Sequence, residues 1–323
     1  MILKCANHDV MDLSNGKTLN GSLLPVASWG YDQVMAFLER RVFAQSNKIA
    51  RRIDQRRQER TAYKLSLSDS YWISFDSSER FEAVSPYWQD FGTLEFVKGM
   101  TEPTLRLMGS FDKEWRRLGD VTFICKYEPK LIAQTEIRAG ELAARLGVGD
   151  SIGPVFGGGY DEIDSAVFIR NLSSPQRMLL DFGSVLPRNS LKDGYIFEYV
   201  QALYTQVGFS CVHDYIMRVI LFDAIIGNED RRHNQGNWGF FKSTADGSVC
   251  LAPAYDFNLA YSMPVDAALL QERIKGIVSA GKAIQALDAL QAWEPTVREF
   301  CGEYDYEVWH NNFKRLQKHL QDF

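Results

Sequence analysis

The sequence predicts an α+β fold in two lobes: a β-rich first half holding one long helix, and a mainly helical second half interrupted by one hairpin. Three observations predict it. Short apolar runs punctuated by Gly and Asn fill residues 1–25 and return from about 105 to 170. Ala133 to Leu146 carries a helical apolar pattern that stops at Gly147. After about residue 190 the spacing is helical, except where WGFFKS and SVCLAPAYDF flank the turn Ala245-Asp246-Gly247. Elements grouped this way do not alternate as a parallel α/β sheet requires. The expected division is a small β/helical subdomain at 1–64, a lobe of strands and one helix at 65–190, and a helical lobe at 191–323.

Taken in order, Asn15-Gly16 and Asn20-Gly21 are turn signals inside a small β element. Residues 31–60 have helical spacing, with Val34, Phe37 and Leu38 on one face and Ile49 and Ile53 repeating at i, i+4. Between Arg40 and Lys64 there are nine Lys or Arg against two acids. This is either a patch for nucleic acid or an acidic partner, or, more simply, a solvated helix face with internal ion pairs. Residues 65–100 are aromatic and loop-rich, an ordered connection whose rings need burial. LRLMGSFDKEWRR and VTFICKYEP read as two arms of a hairpin, and Ile152–Phe156 and Ser165–Ile169 as strands separated by Gly157–Gly159.

The 323 residues are 46% hydrophobic and 24% charged, enough for a substantial core. A net charge of −5 gives no reason to expect wholesale affinity for nucleic acid or anionic membrane. Cys5, Cys125, Cys211, Cys250 and Cys301 form no CxxC pair, which fits a reducing cytoplasm better than a zinc site or disulfide framework. The start MILKCANHDVMDLS lacks the pattern of a signal peptide, and no window reaches the roughly 20 apolar residues of a membrane span. The expectation is a cytoplasmic protein.

The chemistry concentrates in GNEDRRHNQGNWGFF, residues 227–241. This loop follows the apolar run YIMRVILFDAII and precedes a strand, so both its ends are anchored. Asp230, Arg231, Arg232, His233, Asn234 and Asn237 crowd into one turn, and the hairpin that follows folds the chain back so that Asp256 approaches it. Any one of these residues is as easily a turn cap. Two carboxylates and an amide together form an oxygen-rich set suited to Mg²⁺ and phosphate, and phosphoryl transfer needs these parts.

The loop resembles that of the HipA-like kinases, which has the form Asn-x-Asp-x-His followed by Asn, with a second metal ligand in a Tyr-Asp or Phe-Asp after a Pro. Bacterial effector kinases of that group carry Asp-Arg-His-Asn-Gly-Asn-Trp-Gly-Phe. Asp230, His233, Asn234, Gly236, Asn237, Trp238, Gly239 and Phe240 match that string, and Asp256 in LAPAYDFNLAY matches the second motif. The resemblance covers roughly residues 65–300 and implies a bilobal protein-kinase-like fold. It implies ATP and Mg²⁺ as cofactors, Asp230 and His233 in the catalytic loop, and Asn237 and Asp256 as metal ligands. The loop is two residues longer than this pattern, with an extra Arg and Gln. Asn237 stands seven positions after Asp230, where protein kinases use five, so Asn234 is the alternative ligand.

The resemblance also implies that Lys126, in an apolar strand, contacts ATP phosphates and pairs with a helix glutamate, Glu136 or in reserve Glu141. The alternative is an edge lysine whose stem snorkels to water. Gly109 and Ser110 lie where a phosphate-covering loop belongs, and Ile169 to Asn171 fall by order in the adenine hinge. Asp181-Phe182-Gly183 precedes the loop and is read as a turn, and Gly157–Gly159 lacks the Lys-Ser/Thr of a P-loop. The leading expectation is transfer of the ATP γ-phosphate to a Ser or Thr hydroxyl, the protein's own included, in a toxin-like or regulatory role. A protein substrate is expected, with an antitoxin or other regulatory partner, and neither direct nucleic-acid nor membrane binding. A small-molecule kinase and a nucleotide-binding pseudokinase are the other readings.

Overall fold

A computed structural model describes residues 1–41, 69–76, 78–84, 112–118, 121–149, 154–159, 164–186, 196–261 and 282–321. Helix and sheet are mixed in the grouped manner of an α+β protein. The strands are β1 (Ile2–Cys5), β2 (His8–Asp12), β3 (Lys17–Thr18), β4 (Tyr71–Ser74), β5 (Asp112–Leu118), β6 (Val121–Pro129), β7 (Pro154–Gly159), β8 (Asp164–Arg170), β9 (Arg177–Asp181), β10 (Gly239–Ser243) and β11 (Val249–Leu251). The helices are α1 (Tyr31–Arg41), α2 (Phe81–Val84), α3 (Lys130–Arg145), α4 (Phe182–Val185), α5 (Ile196–Gln206), α6 (His213–Ile225), α7 (Asp230–His233), α8 (Ala283–Phe300) and α9 (Glu303–Gln321). No helix among the described residues is long and apolar enough to cross a membrane. The chain divides into two compact units: residues 1–126, 170–187 and 239–252 in the first, and 127–169, 188–238 and 253–323 in the second.

In the first unit an antiparallel sheet runs in the order β3-β2-β1-β4. Leu3 and Cys5 of β1 and Val10 and Met11 of β2 are buried, and Val34, Phe37 and Leu38 of α1 are buried as the spacing predicted. Phe37 meets Tyr71 edge-on at 5.5 Å between ring centres. Strand β4 lies in the stretch expected to be connection. Its short aromatic run has little periodicity of its own and takes strand form by pairing with β1, Cys5 opposite Tyr71. The basic segment 42–64 lies outside the described residues. Arg40 and Arg41, which begin the basic stretch 40–64, point inward: Arg40 donates to the carbonyls of Ser184 and Val185, and Arg41 to Asp69 at 2.7 Å.

The second sheet of this unit has the order β11-β10-β9. Central β10 is buried on both faces through Gly239, Phe240, Phe241 and Lys242, as a covered strand must be. Asp181 ends β9 and caps α4, accepting from the Ser184 N–H at 2.8 Å, so Asp181-Phe182-Gly183 is the turn the sequence predicted. Gly247, at φ +76°, closes the β10–β11 hairpin, and a Cβ there would collide with the Ser22 carbonyl. Gly247→Ala is therefore expected to destabilise the protein by about 1–3 kcal/mol, read as a lower urea midpoint.

β5 and β6 are neighbours in one sheet, as the hairpin reading expected. The Gly157–Gly159 run departs from its expected role as a separator. It belongs to β7 itself, opposite Ser165, Ala166 and Val167 of β8, because glycine adopts extended backbone freely on an edge strand. Helix α3 contains the predicted Ala133–Leu146 pattern, and Gly147 at φ +66° ends it. Helix α6 is the core of the second unit and packs against α5, α8 and α9. It is buried from Ile216 to Ile225 except at half-buried Arg218, and the one buried charge in that run is Asp223.

Candidate active site

The loop after α6 begins with a helix stop that places its first polar residue. Gly227, at φ +65°, donates to Ala224 O, and Asn228 N–H donates to Asp223 O at 2.8 Å, which is a Schellman turn. That turn brings the Asn228 amide back onto Asp223, Nδ2 to Oδ1 at 2.9 Å. The chain then makes the single turn α7, with Asn234 N–H donating to Asp230 O at 2.9 Å, and a 3-10 turn over Gln235–Asn237 before entering β10.

Asp230 and Asn237, seven positions apart in sequence, are joined directly: Asn237 Nδ2 donates to Asp230 Oδ2 at 2.7 Å. An ionised carboxylate only accepts, so the amide must turn its NH₂ group to Asp230 and its oxygen away. Asn234 Nδ2 donates to that oxygen at 3.1 Å, and Asn234 Oδ1 accepts the Gly236 N–H at 3.0 Å. The direction of every bond in the relay is thus set from both ends, by a main-chain donor and by a carboxylate. Asn237 is 5% exposed, whereas Asn234 sits at the surface. Asn237 therefore occupies the inner position.

A buried ion pair holds this arrangement from beneath. Arg231 Nε donates to Asp223 Oδ2 at 2.7 Å, and Nη1 donates to the main-chain oxygen of Asn237 at 2.6 Å. Its guanidinium lies over the rings of Phe257, at 5.2 Å, and Trp238, at 5.7 Å. Burial works against the charged form of Arg231, but the facing carboxylate of Asp223 and the Tyr215 hydroxyl outweigh it and raise its pKa. Removing one member leaves the other charge buried, so Asp223→Ala is expected to cost about 3–5 kcal/mol of stability, measured by chemical denaturation.

The return of the chain after β11 is fixed to the same loop on both sides of Asp256. Tyr255 OH donates to Gly236 O at 2.8 Å, and Phe257 packs edge-on against Phe222 of α6 at 5.5 Å. Asp256 itself has φ +62°, a left-handed backbone that costs a non-glycine residue about 1–3 kcal/mol. Such a conformation persists only where its surroundings fix it, and the flanking anchors do so here. Asp and Asn tolerate it better than other residues.

The other predicted residues lie as follows. His233 closes α7, and its side chain falls outside the described residues, as do Gly109 and Ser110. Lys126 on β6 is 4% exposed, so it is not a lysine snorkelling into water. Glu136 on α3 is 2% exposed while Glu141 lies at the surface, so Glu136 is the buried carboxylate of the two. Ile169 and Asn171 are half-buried at the end of β8, and Asn171 Oδ1 accepts the Ser173 N–H at 3.0 Å.

Sequence reasoning missed Asp223, Asn228, Tyr255 and the buried role of Arg231. Asp223 did carry a signal, as the acid inside YIMRVILFDAII, where an unpaired charge would be costly.

Neither a protein-family model nor a curated protein sequence matches the chain. Among solved structures, a proinflammatory kinase of Helicobacter pylori, CtkA, superposes with a TM-score of 0.44 and 18% identity, covering 72% of this chain and 96% of that one. A likeness at this level assigns neither fold nor function.

Proposed function

We propose that the chain is an ATP- and Mg²⁺-dependent kinase that transfers the γ-phosphate to a Ser or Thr hydroxyl, with Asp230, Asn237 and Asp256 as its reacting centre. The observation that carries the reading is the 2.7 Å bond from Asn237 to Asp230, which joins the two loop residues that phosphoryl transfer requires. The donor types suit Mg²⁺: the Asp256 carboxylate, and an amide oxygen on Asn237 that keeps a lone pair after accepting from Asn234. Asn237 and Asp256 would hold the ion, which would offset the negative charge of the phosphates. Asp230 orients the acceptor hydroxyl and takes its proton as the new P–O bond forms and the bond to the β-phosphate breaks, releasing ADP. Lys126, buried in β6, is assigned to the ATP phosphates on the HipA-like resemblance of the motifs alone, which also singles out Glu136 of α3. That resemblance is also the sole support for a toxin-like or regulatory role, with a protein substrate and a regulatory partner.

Incubation with Mg-ATP followed by mass spectrometry tests the reading. Phosphate on a Ser or Thr of this chain or of an added acceptor protein is expected. ATP binding with no ADP formed would make the chain a nucleotide-binding module instead. Within the loop, Asn237→Ala is expected to lower turnover about 10²- to 10³-fold, the loss of roughly 3–4 kcal/mol of charge stabilisation. Asn234→Ala, which removes only the outer member of the relay, should stay within about tenfold, or roughly 1.4 kcal/mol. The reverse order would move the metal ligand to Asn234.

A further inference from the structure

A longer loop between Asp230 and Asn237 would ordinarily loosen the two residues it joins. Here the added length is turned inward and tied down. Arg231 is 1% exposed and reaches α6 through Asp223. Gln235 is 8% exposed and accepts from Tyr199 OH of α5 at 3.4 Å. Gly236 is held through its carbonyl by Tyr255. Of these ties, only the one through Arg231 grips Asn237 itself, by the main-chain oxygen.

We propose that Arg231, set by Asp223, is a positioning residue that presents the Asn237 amide to Asp230 and to the metal, and so makes the lengthened loop competent. This rests on the kinase reading above and deepens it. The argument is geometric. Guanidinium is a planar fork, and here its Nε and Nη1 bond two acceptors that belong to different elements, a helix carboxylate and a loop carbonyl. The rings of Trp238 and Phe257 on its faces restrict its tilt. With the Asn237 carbonyl fixed and its Nδ2 on Asp230, the side chain has one orientation left, with Oδ1 turned away from the carboxylate. A lysine keeps the charge beside Asp223 but carries its donors on a single atom and cannot reproduce the fork.

The test is Arg231→Lys in the full chain, with three readouts: the Mg²⁺ concentration that half-saturates ATP binding, kcat against KM for acceptor, and hydrogen exchange at the 234–238 amides. The expected result is a rise of tenfold or more in half-saturating Mg²⁺, a fall in kcat with acceptor KM unchanged, and faster exchange at Asn237 and Trp238. A merely structural role would lower the melting temperature and leave the Mg²⁺ midpoint of the folded protein as in the parent, which would overturn the proposal. If Arg231→Lys does not fold, Asp223→Asn is read in the same way: it keeps the volume, and its NH₂ group replaces one of the two oxygens that accept from Arg231 and Asn228. A parent that binds no Mg-ATP removes the kinase reading, and the exchange rates alone then decide whether Arg231 holds the loop.

Discussion

Asp230→Asn is expected to lower phosphotransfer by about 10³-fold or more, within the 10²- to 10⁴-fold range of a lost general base, while Mg-ATP binding changes little. The substitution is nearly isosteric, and its amide oxygen can still accept from Asn237 Nδ2, so the 2.7 Å contact and the loop survive. Lost is the group that receives the acceptor proton. Geometry and chemistry are thereby separated in one variant. Single-turnover kinetics beside calorimetric ATP binding would measure both. Turnover within about tenfold of the parent, a loss of only about 1.4 kcal/mol in barrier, would remove Asp230 from this role.

Asp256→Ala is expected to abolish the gain in ATP affinity that Mg²⁺ confers, by about 100-fold or roughly 2.7 kcal/mol. The left-handed backbone at Asp256 complicates a single alanine variant, because alanine at φ +62° adds strain of its own. Asp256→Asn and Asp256→Gly resolve this. Both accept the backbone, and neither supplies the charge. All three should lose the Mg²⁺ effect, and only the alanine variant should also lose stability. If Asp256→Asn keeps the full Mg²⁺ effect, the carboxylate is not the ligand.

The grouped helices and strands were legible because their signals are local. Helix α3 declares itself by apolar spacing and by Gly147, and the β10–β11 hairpin by Ala245-Asp246-Gly247 between two strand-like runs. Strand β4 and the glycine half of β7 were not legible, because each takes its form from a partner strand. Arg40 and Arg41 looked like part of a charged surface, since nothing near them in sequence names the carbonyls and the carboxylate they reach.

The candidate site divides in the same way. Its residue types could be read from one short stretch of chain. Which of Asn234 and Asn237 bonds Asp230 could not, because it depends on how the turns after Asp230 place the two amides. The structure sets Asn237 on Asp230 and leaves Asn234 outside it. The support from Asp223 and Tyr255 comes from separate parts of the chain and required the fold.

The most direct measurement of the central claim is calorimetric titration of ATP, with and without Mg²⁺, into the parent chain and into Asn237→Ala and Asp256→Asn. The account predicts tight binding by the parent only when Mg²⁺ is present, and loss of that dependence in both variants. Equal ATP affinity with and without Mg²⁺ in the parent, or an undiminished Mg²⁺ effect in both variants, would contradict it.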